Sequence, residues 1–469
     1  MRKIETDYLI VGAGAAGMAF ADALIAASDV DVVMVDRRHQ PGGHWNDAYP
    51  FVRLHGPSAL YGVNSRRLGS DVIEQTGPNA GYYPRATAAE ICAYYQQVLD
   101  EVLLHSGRVR FFGMSDSAGA AGNGQQFTSL LTRETTAVRV RKRVVDARYL
   151  EPSIPATHAP PFGIESGARV IPVNDLVRLT RPASRFTILG GGKTAIDACL
   201  WLLETGVPPE AIRWIRPRDA WLLDRAYQQP LGLLPRLMEG VSLYLEAAAQ
   251  AQDVSELFRR LESCGQLARL DPAVQPTMFR CATVSQDELV SLRSIENVIR
   301  LGRVARIGPD HIELAGGSIP ADPGEVHVDC SAAGLRTKPA RPVFSDNLIT
   351  LQQIRSCQPV FSAALTGYVE AAFGDDARKN QICPANRYPD AAVDWIDVTC
   401  TAQRAELIWA TDPDLVSWMQ GARLNAIRGM GDFPDDPQMK SALDRVFTNI
   451  EPAISNLETL RAEIPAGAS

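Results

Sequence analysis

An α/β fold, with two separate strand–helix–strand units and a helical carboxyl-terminal region, is predicted by three observations. The run Tyr8-Leu9-Ile10-Val11 opens directly into Gly12-Ala13-Gly14-Ala15-Ala16-Gly17, and a second apolar run over residues 30–35 ends at Asp36. At mid-chain Arg185-Phe186-Thr187-Ile188-Leu189 opens in the same way into Gly190-Gly191-Gly192-Lys193-Thr194-Ala195. From Ala391 onward apolar residues recur at helical spacing, among them Ile396, Leu407, Trp409, Leu415 and Trp418.

The first unit has the parts of a Rossmann-type cradle for an adenine dinucleotide. Gly12 permits the tight turn, Gly14 lets backbone approach a pyrophosphate, and Gly17 lets the helix pack on the strand. The helix start offers free N–H groups and the positive end of its dipole to phosphate. Asp36 lies 19 residues beyond Gly17, where a carboxylate accepts hydrogen bonds from ribose hydroxyls; Arg37 beside it joins the candidate ligands. Arg2-Lys3 followed by the charge-free residues 8–21 has the outline of a secretory leader, but three glycines and Asp22 interrupt it. Nothing else approaches the roughly 18 to 20 apolar residues that span a bilayer. A soluble, cytoplasmic protein is expected.

Residues 84–105 carry helical spacing, with Thr87 as N-cap. Residues 115–126 are rich in Ser, Ala and Gly and read as a turn between strands. The basic run Arg139-Val140-Arg141-Lys142-Arg143 alternates as a solvated strand face does.

The second unit continues with a helix over 196–204, a break at Gly206-Val207-Pro208-Pro209, and a strand over 211–215. Ala195 fills the third glycine position, and GxxxxGK[ST] spacing is absent. This strand ends in Arg216-Pro217-Arg218 rather than in an acid. Guanidinium grips phosphate oxygens bidentately, so Arg216 and Arg218 suit a 2′-phosphate where Asp36 suits a free 2′-hydroxyl. The pair of units therefore reads as one FAD-type and one NADPH-type site, with Gly190, Gly192, Lys193 and Thr194 at the second.

The expected division is a first FAD-binding part at 1–175, an NADPH-binding domain at 176–322 with a mostly helical insertion at 226–294, a return to the FAD domain at 323–390, and helices at 391–469. Those last helices either cover the FAD domain or form a homodimer contact. Pro434 and Pro437 mark a break, and residues 465–469 read as a frayed end.

A net charge of −7 without long single-sign blocks gives no reason to expect nucleic acid or a membrane surface as partner. The eight cysteines contain no pair closer than 17 residues, so metal sites and short-loop redox pairs are not expected and each cysteine reads as a small reduced core residue.

Further motifs resemble the flavin-containing monooxygenase superfamily. Gly42-Gly43-His44-Trp45 matches its GGxW element, and residues 49–61 match the YPxxRxxxPSxLY stretch of Baeyer–Villiger and N-hydroxylating relatives. Val328-Asp329-Cys330-Ser331-Ala332-Ala333-Gly334 is similar to the strand-plus-ATG return, and Arg216…Trp221 to the RSxxW pattern. The resemblance covers residues 5–370. It implies an enzyme that uses FAD, NADPH and O₂ to insert one oxygen atom into a small molecule through an oxygen adduct at flavin C4a. On that basis Trp45 lines the isoalloxazine, His44 meets cofactor through its backbone, and Gly334 passes close to FAD. Arg53 pairs with FAD phosphate, holds its loop or forms a surface salt bridge. His55 stands beside C4a, where it either donates or shuttles a proton or is merely a satisfied ring.

The sequence departs from the family in two places. The fingerprint FxGxxxHxxx(W/Y) lacks its histidine within residues 161–172, and His55 replaces the Asp or Asn of the named subgroups. The chain therefore resembles a divergent branch, with its oxygen acceptor unspecified. Two further readings stay open: an NADPH-dependent flavin reductase, dehydrogenase or oxidase without oxygen insertion, and a non-catalytic flavin-binding protein.

Overall fold

A computed structural model describes residues 2–117 and 125–464. The first sheet is built around strand Arg2–Val11, which pairs in parallel with Val32–Val35 on one side and Thr135–Asp146 on the other. Val109–Phe112 and Leu348–Thr350 extend it outward, again in parallel. Leu9, Ile10, Val33 and Met34 are fully buried, as expected for a parallel sheet covered on both faces. The crossover helix Ala15–Ala27 packs closely on helix Pro359–Ala372. Glycine is required there, because a Cβ on Gly367 would stand 2.5 Å from the Phe20 carbonyl oxygen. Helix Ala88–Val98 starts at Thr87 as expected, through a capping box with Glu90. The basic run lies in Thr135–Asp146, where Arg141 faces solvent and pairs with Asp7 and Asp31.

The second sheet is wholly parallel, in the order Val298–Ile299, Ile212–Ile215, Phe186–Leu189, Val326–Asp329, Val170–Pro172. Its register sets Ile215 beside Leu189 and Leu189 beside Asp329, so the second glycine turn and the 330–334 segment leave the sheet at the same edge.

The segment 226–294 holds helices Leu234–Gln250, Val254–Ser263 and Gln286–Arg293 together with strand Met278–Val284, which pairs in parallel with Ala220–Asp224. The carboxyl-terminal helices do not cover the first sheet alone. Trp409, Leu415 and Met419 join its core, whereas Trp395, Ile396, Ala453 and Leu457 pack with Leu245 and Phe258 of the insertion. The turn at 118–124 and the end at 465–469 lie outside the described residues. No described helix is long and apolar enough to cross a membrane.

Candidate functional site

Both glycine turns open into one cavity of about 1160 Å³. At the first, Gly12 takes φ +110° and donates its N–H to the Val35 carbonyl at 2.8 Å. A Cβ on Gly17 would lie 2.0 Å from the Gly12 oxygen, so only glycine lets helix Ala15–Ala27 start so near the strand. That helix has no side-chain cap at Gly14, which leaves its first amides directed at the cavity. Asp36 accepts from Ala13 N at 2.7 Å and from Arg38 N at 2.8 Å. These bonds fix the carboxylate at the cavity wall and leave lone pairs for a ligand. Arg37 reaches the same wall and faces Asp116 at 3.6 Å.

Gly42 and Gly43, at φ +113° and +57°, carry the chain back over the first turn, and a Cβ on Gly43 would meet Gly14 Cα at 2.9 Å. Trp45 is anchored by its indole N–H, which donates to the Tyr61 hydroxyl at 2.7 Å. His44 tilts against Trp45 with ring centroids 5.0 Å apart. Burial, with the nearby Arg38 charge, pushes its pKa down to about 4. Arg53 lines the cavity with one guanidinium N–H donating to the Arg85 carbonyl.

At the second turn Gly190 takes φ +135°, and a Cβ there would lie 2.7 Å from the Cys330 carbonyl oxygen. Helix Lys193–Glu204 begins at Gly192, again without a side-chain cap. Lys193 pairs with Asp197, whose other oxygen accepts from the Tyr49 hydroxyl at 2.6 Å. Its ammonium is thus held inside the site, with burial lowering its pKa. Thr194 and Gly334, the latter at φ +63°, also line the cavity.

The two arginines expected to bind phosphate part company. Arg218 lines the cavity, held by Asp390 at 2.8 and 3.0 Å. Arg216 does not: its guanidinium lies 4.8 Å over the Trp214 ring and 3.4 Å from Asp219. At 3% exposure it is a core cation rather than a phosphate ligand. Strand Ile212–Ile215 is buried along its whole length, so the first residue after it still points into protein. Sequence reasoning missed Arg280, which shares Asp390 at 2.6 Å and donates to the Ala333 carbonyl at 2.7 Å. No local motif marks it.

His55 faces the cavity between the two turns. Its Nδ1 lies 3.3 Å from the Cys281 carbonyl oxygen. A carbonyl only accepts, so Nδ1 carries the proton and Nε2 keeps its lone pair. Burial, with Lys193, Arg85 and Arg225 around it, pushes the pKa of His55 down to about 3. The ring is therefore neutral at physiological pH. The expectation that every cysteine is a reduced core residue also fails. Cys281 and Cys357, 76 residues apart, form a disulfide, and both line the cavity.

Residues 10–67 match the family model of an NAD(P)-binding Rossmann-like domain. The uncharacterised protein Rv2000 of Mycobacterium tuberculosis is 47% identical over 428 residues, covering 91% of this chain and 78% of that protein. The chain belongs to the same family as this uncharacterised mycobacterial protein. A Mycobacterium bovis member, the uncharacterised protein Mb2023, matches to the same extent. A ferredoxin–NADP reductase of Salinispora tropica is 32% identical over 90 residues, 19% of this chain and 28% of that one. Among solved structures, OTEMO in complex with FAD and NADP aligns with a TM-score of 0.50 at 14% identity, covering 78% of this chain and 84% of that one. That likeness is one of fold: an α/β architecture with two dinucleotide-type units, as the sequence predicts.

Proposed function

We propose that this protein is an FAD- and NADPH-dependent monooxygenase acting on a small molecule and O₂. The observation that carries the reading is the single cavity into which both glycine turns open, with Trp45 and His55 between them. The first turn fits FAD: Gly12, Gly14 and Gly43 leave room for its pyrophosphate, and Asp36 is fixed where a ribose would lie. The second fits NADPH: the uncapped amides at Gly192 meet the pyrophosphate, and Arg218 keeps donors for a 2′-phosphate beyond those given to Asp390. The bound flavin supplies hydride acceptance and oxygen activation, which no side chain here can provide.

The chain's own part is positioning and electrostatics. His55 presents an Nε2 acceptor that cannot protonate near neutral pH, and the cations around it raise the local potential where negative charge develops. Trp45, held by Tyr61, gives the ring a fixed apolar wall. A second reading, NADPH-driven reduction without oxygen insertion, is favoured by the disulfide in the cavity wall. The test is product formation with candidate amines, ketones and thioethers. Oxygen from ¹⁸O₂ in the product, coupled to NADPH consumption, supports the proposal. Peroxide release with every substrate, and no labelled product, refutes it.

A further inference from the structure

Resting on the reading of the cavity as a flavin and pyridine-nucleotide site, we infer that Cys281 and Cys357 form a redox-active disulfide. It takes electrons from NADPH by way of the bound flavin and hands them to a small disulfide entering the cavity.

The placement of the bond argues for this. Cys281 belongs to strand Met278–Val284, beside the second sheet, and Cys357 to the segment that leads into helix Pro359–Ala372 on the first. Their Cα atoms are 5.8 Å apart. The bridge therefore ties the sheet formed by Ala220–Asp224 and Met278–Val284 to the segment entering helix Pro359–Ala372, at the wall of the cavity into which both glycine turns open. The Cys281 backbone carbonyl is the partner of His55, the residue that the family resemblance places beside the flavin. Both half-cystines adopt left-handed backbone, at φ +57° and +61°. That region is uncommon for non-glycine residues, and such conformations concentrate where function requires a particular side-chain placement.

The two residues are not equally exposed: both line the cavity, but Cys281 is only 8% exposed whereas Cys357 is half-buried. Cys357 also directly precedes Gln358, the N-cap of a 14-residue helix that has no side-chain cap. The amino end of a helix stabilises a thiolate, and the thiolate is the nucleophile of disulfide exchange. Cys357 is thus the exchanging sulfur and Cys281 the resolving one.

The chemistry balances. NADPH gives two electrons and one proton as hydride, and solvent gives a second proton. The Cys281–Cys357 bond breaks, leaving two thiols and NADP⁺. The Cys357 thiolate then attacks a disulfide RSSR and releases one RS⁻. Cys281, giving up its proton, attacks Cys357 in the mixed disulfide, releases the second RS⁻ and restores the bridge. A cavity of about 1160 Å³ exceeds the roughly 300–1,000 Å³ of an ordinary ligand site, which suits cofactors plus a small acceptor.

The holoprotein is reduced anaerobically with NADPH, denatured, alkylated and weighed. The expected result is two more alkyl groups than in the oxidised protein, on the peptides carrying Cys281 and Cys357. Cys330, a free cysteine on the same cavity wall, is labelled equally in both states and serves as internal control. Reductive titration of the wild type should consume twice the electrons taken by the flavin alone, and that of Cys281→Ser/Cys357→Ser only the flavin's share. With bis(2-hydroxyethyl) disulfide as probe, free thiol should accumulate in solution. Flavin that bleaches while the alkyl count stays unchanged overturns this inference and leaves the flavin reading standing. Protein thiols that form but are never passed to the probe overturn the exchange step. A flavin that NADPH cannot bleach overturns both readings.

Discussion

His55→Asn tests the electrostatics of the site through folding stability. In the folded protein the pKa of His55 is about 3, against 6.5 for an unburied ring. Between those values the unfolded chain binds a proton that the folded chain refuses. The stability contribution is therefore fully present above pH 6.5 and is lost progressively as pH falls toward 3. At pH 5 the unfolded ring is almost wholly charged, and one and a half units at about 1.4 kcal/mol each give a loss of about 2 kcal/mol. The asparagine variant cannot titrate and escapes this loss. His44, whose pKa is also lowered, remains in both proteins, so the difference between them isolates His55. Urea unfolding at pH 8 and pH 5, at a fixed FAD concentration, reads it directly. Wild type should lose about 2 kcal/mol more than the variant over that interval. An identical loss in both proteins refutes the claim that this ring is held neutral by burial and its cationic neighbours.

Three further outcomes follow from the geometry. Gly17→Ala puts a Cβ 2.0 Å from the Gly12 carbonyl oxygen, an overpacking of about 1–3 kcal/mol at the phosphate turn; flavin content on purification should fall sharply, and wild-type occupancy would contradict the cradle. Arg218→Ala should raise the KM for NADPH about tenfold, roughly 1.4 kcal/mol, with little change for NADH, whereas Arg216→Ala should leave the NADPH/NADH preference unaltered in steady-state assays. Glu288 lies between Arg85 at 3.0 Å and the fully buried Arg225 at 2.5 Å; Glu288→Gln leaves two buried guanidinium groups without a counter-charge and should cost about 3–5 kcal/mol in a urea titration.

The legible parts of this chain are those whose physics is local. Gly12 and Gly17 declare a turn because only glycine tolerates the positive φ of the first and the close helix approach at the second, and both causes lie within six residues. Thr87 declares a helix start because its capping partner, Glu90, is three positions away. What stayed hidden depends on residues far apart in sequence. Arg216 and Arg218 look alike as neighbours on a strand end, yet one folds onto Trp214 and the other finds Asp390, 172 residues away. Asp390 also collects Arg280, a pairing that no spacing announces. Cys281 and Cys357 were unreadable for the same reason: 76 intervening residues say nothing about which two cysteines meet. Strand Met278–Val284 was missed because its pairing with Ala220–Asp224 is tertiary and its own sequence has no strong alternation.

If FAD and NADPH share one cavity, each at its own glycine turn, anaerobic addition of NADPH to the purified protein will reduce the flavin. A yellow protein is expected whose flavin absorbance bleaches on mixing, and bleaches far more slowly in Arg218→Ala at limiting NADPH. A colourless protein that FAD cannot restore, or a bound flavin indifferent to NADPH, would contradict it.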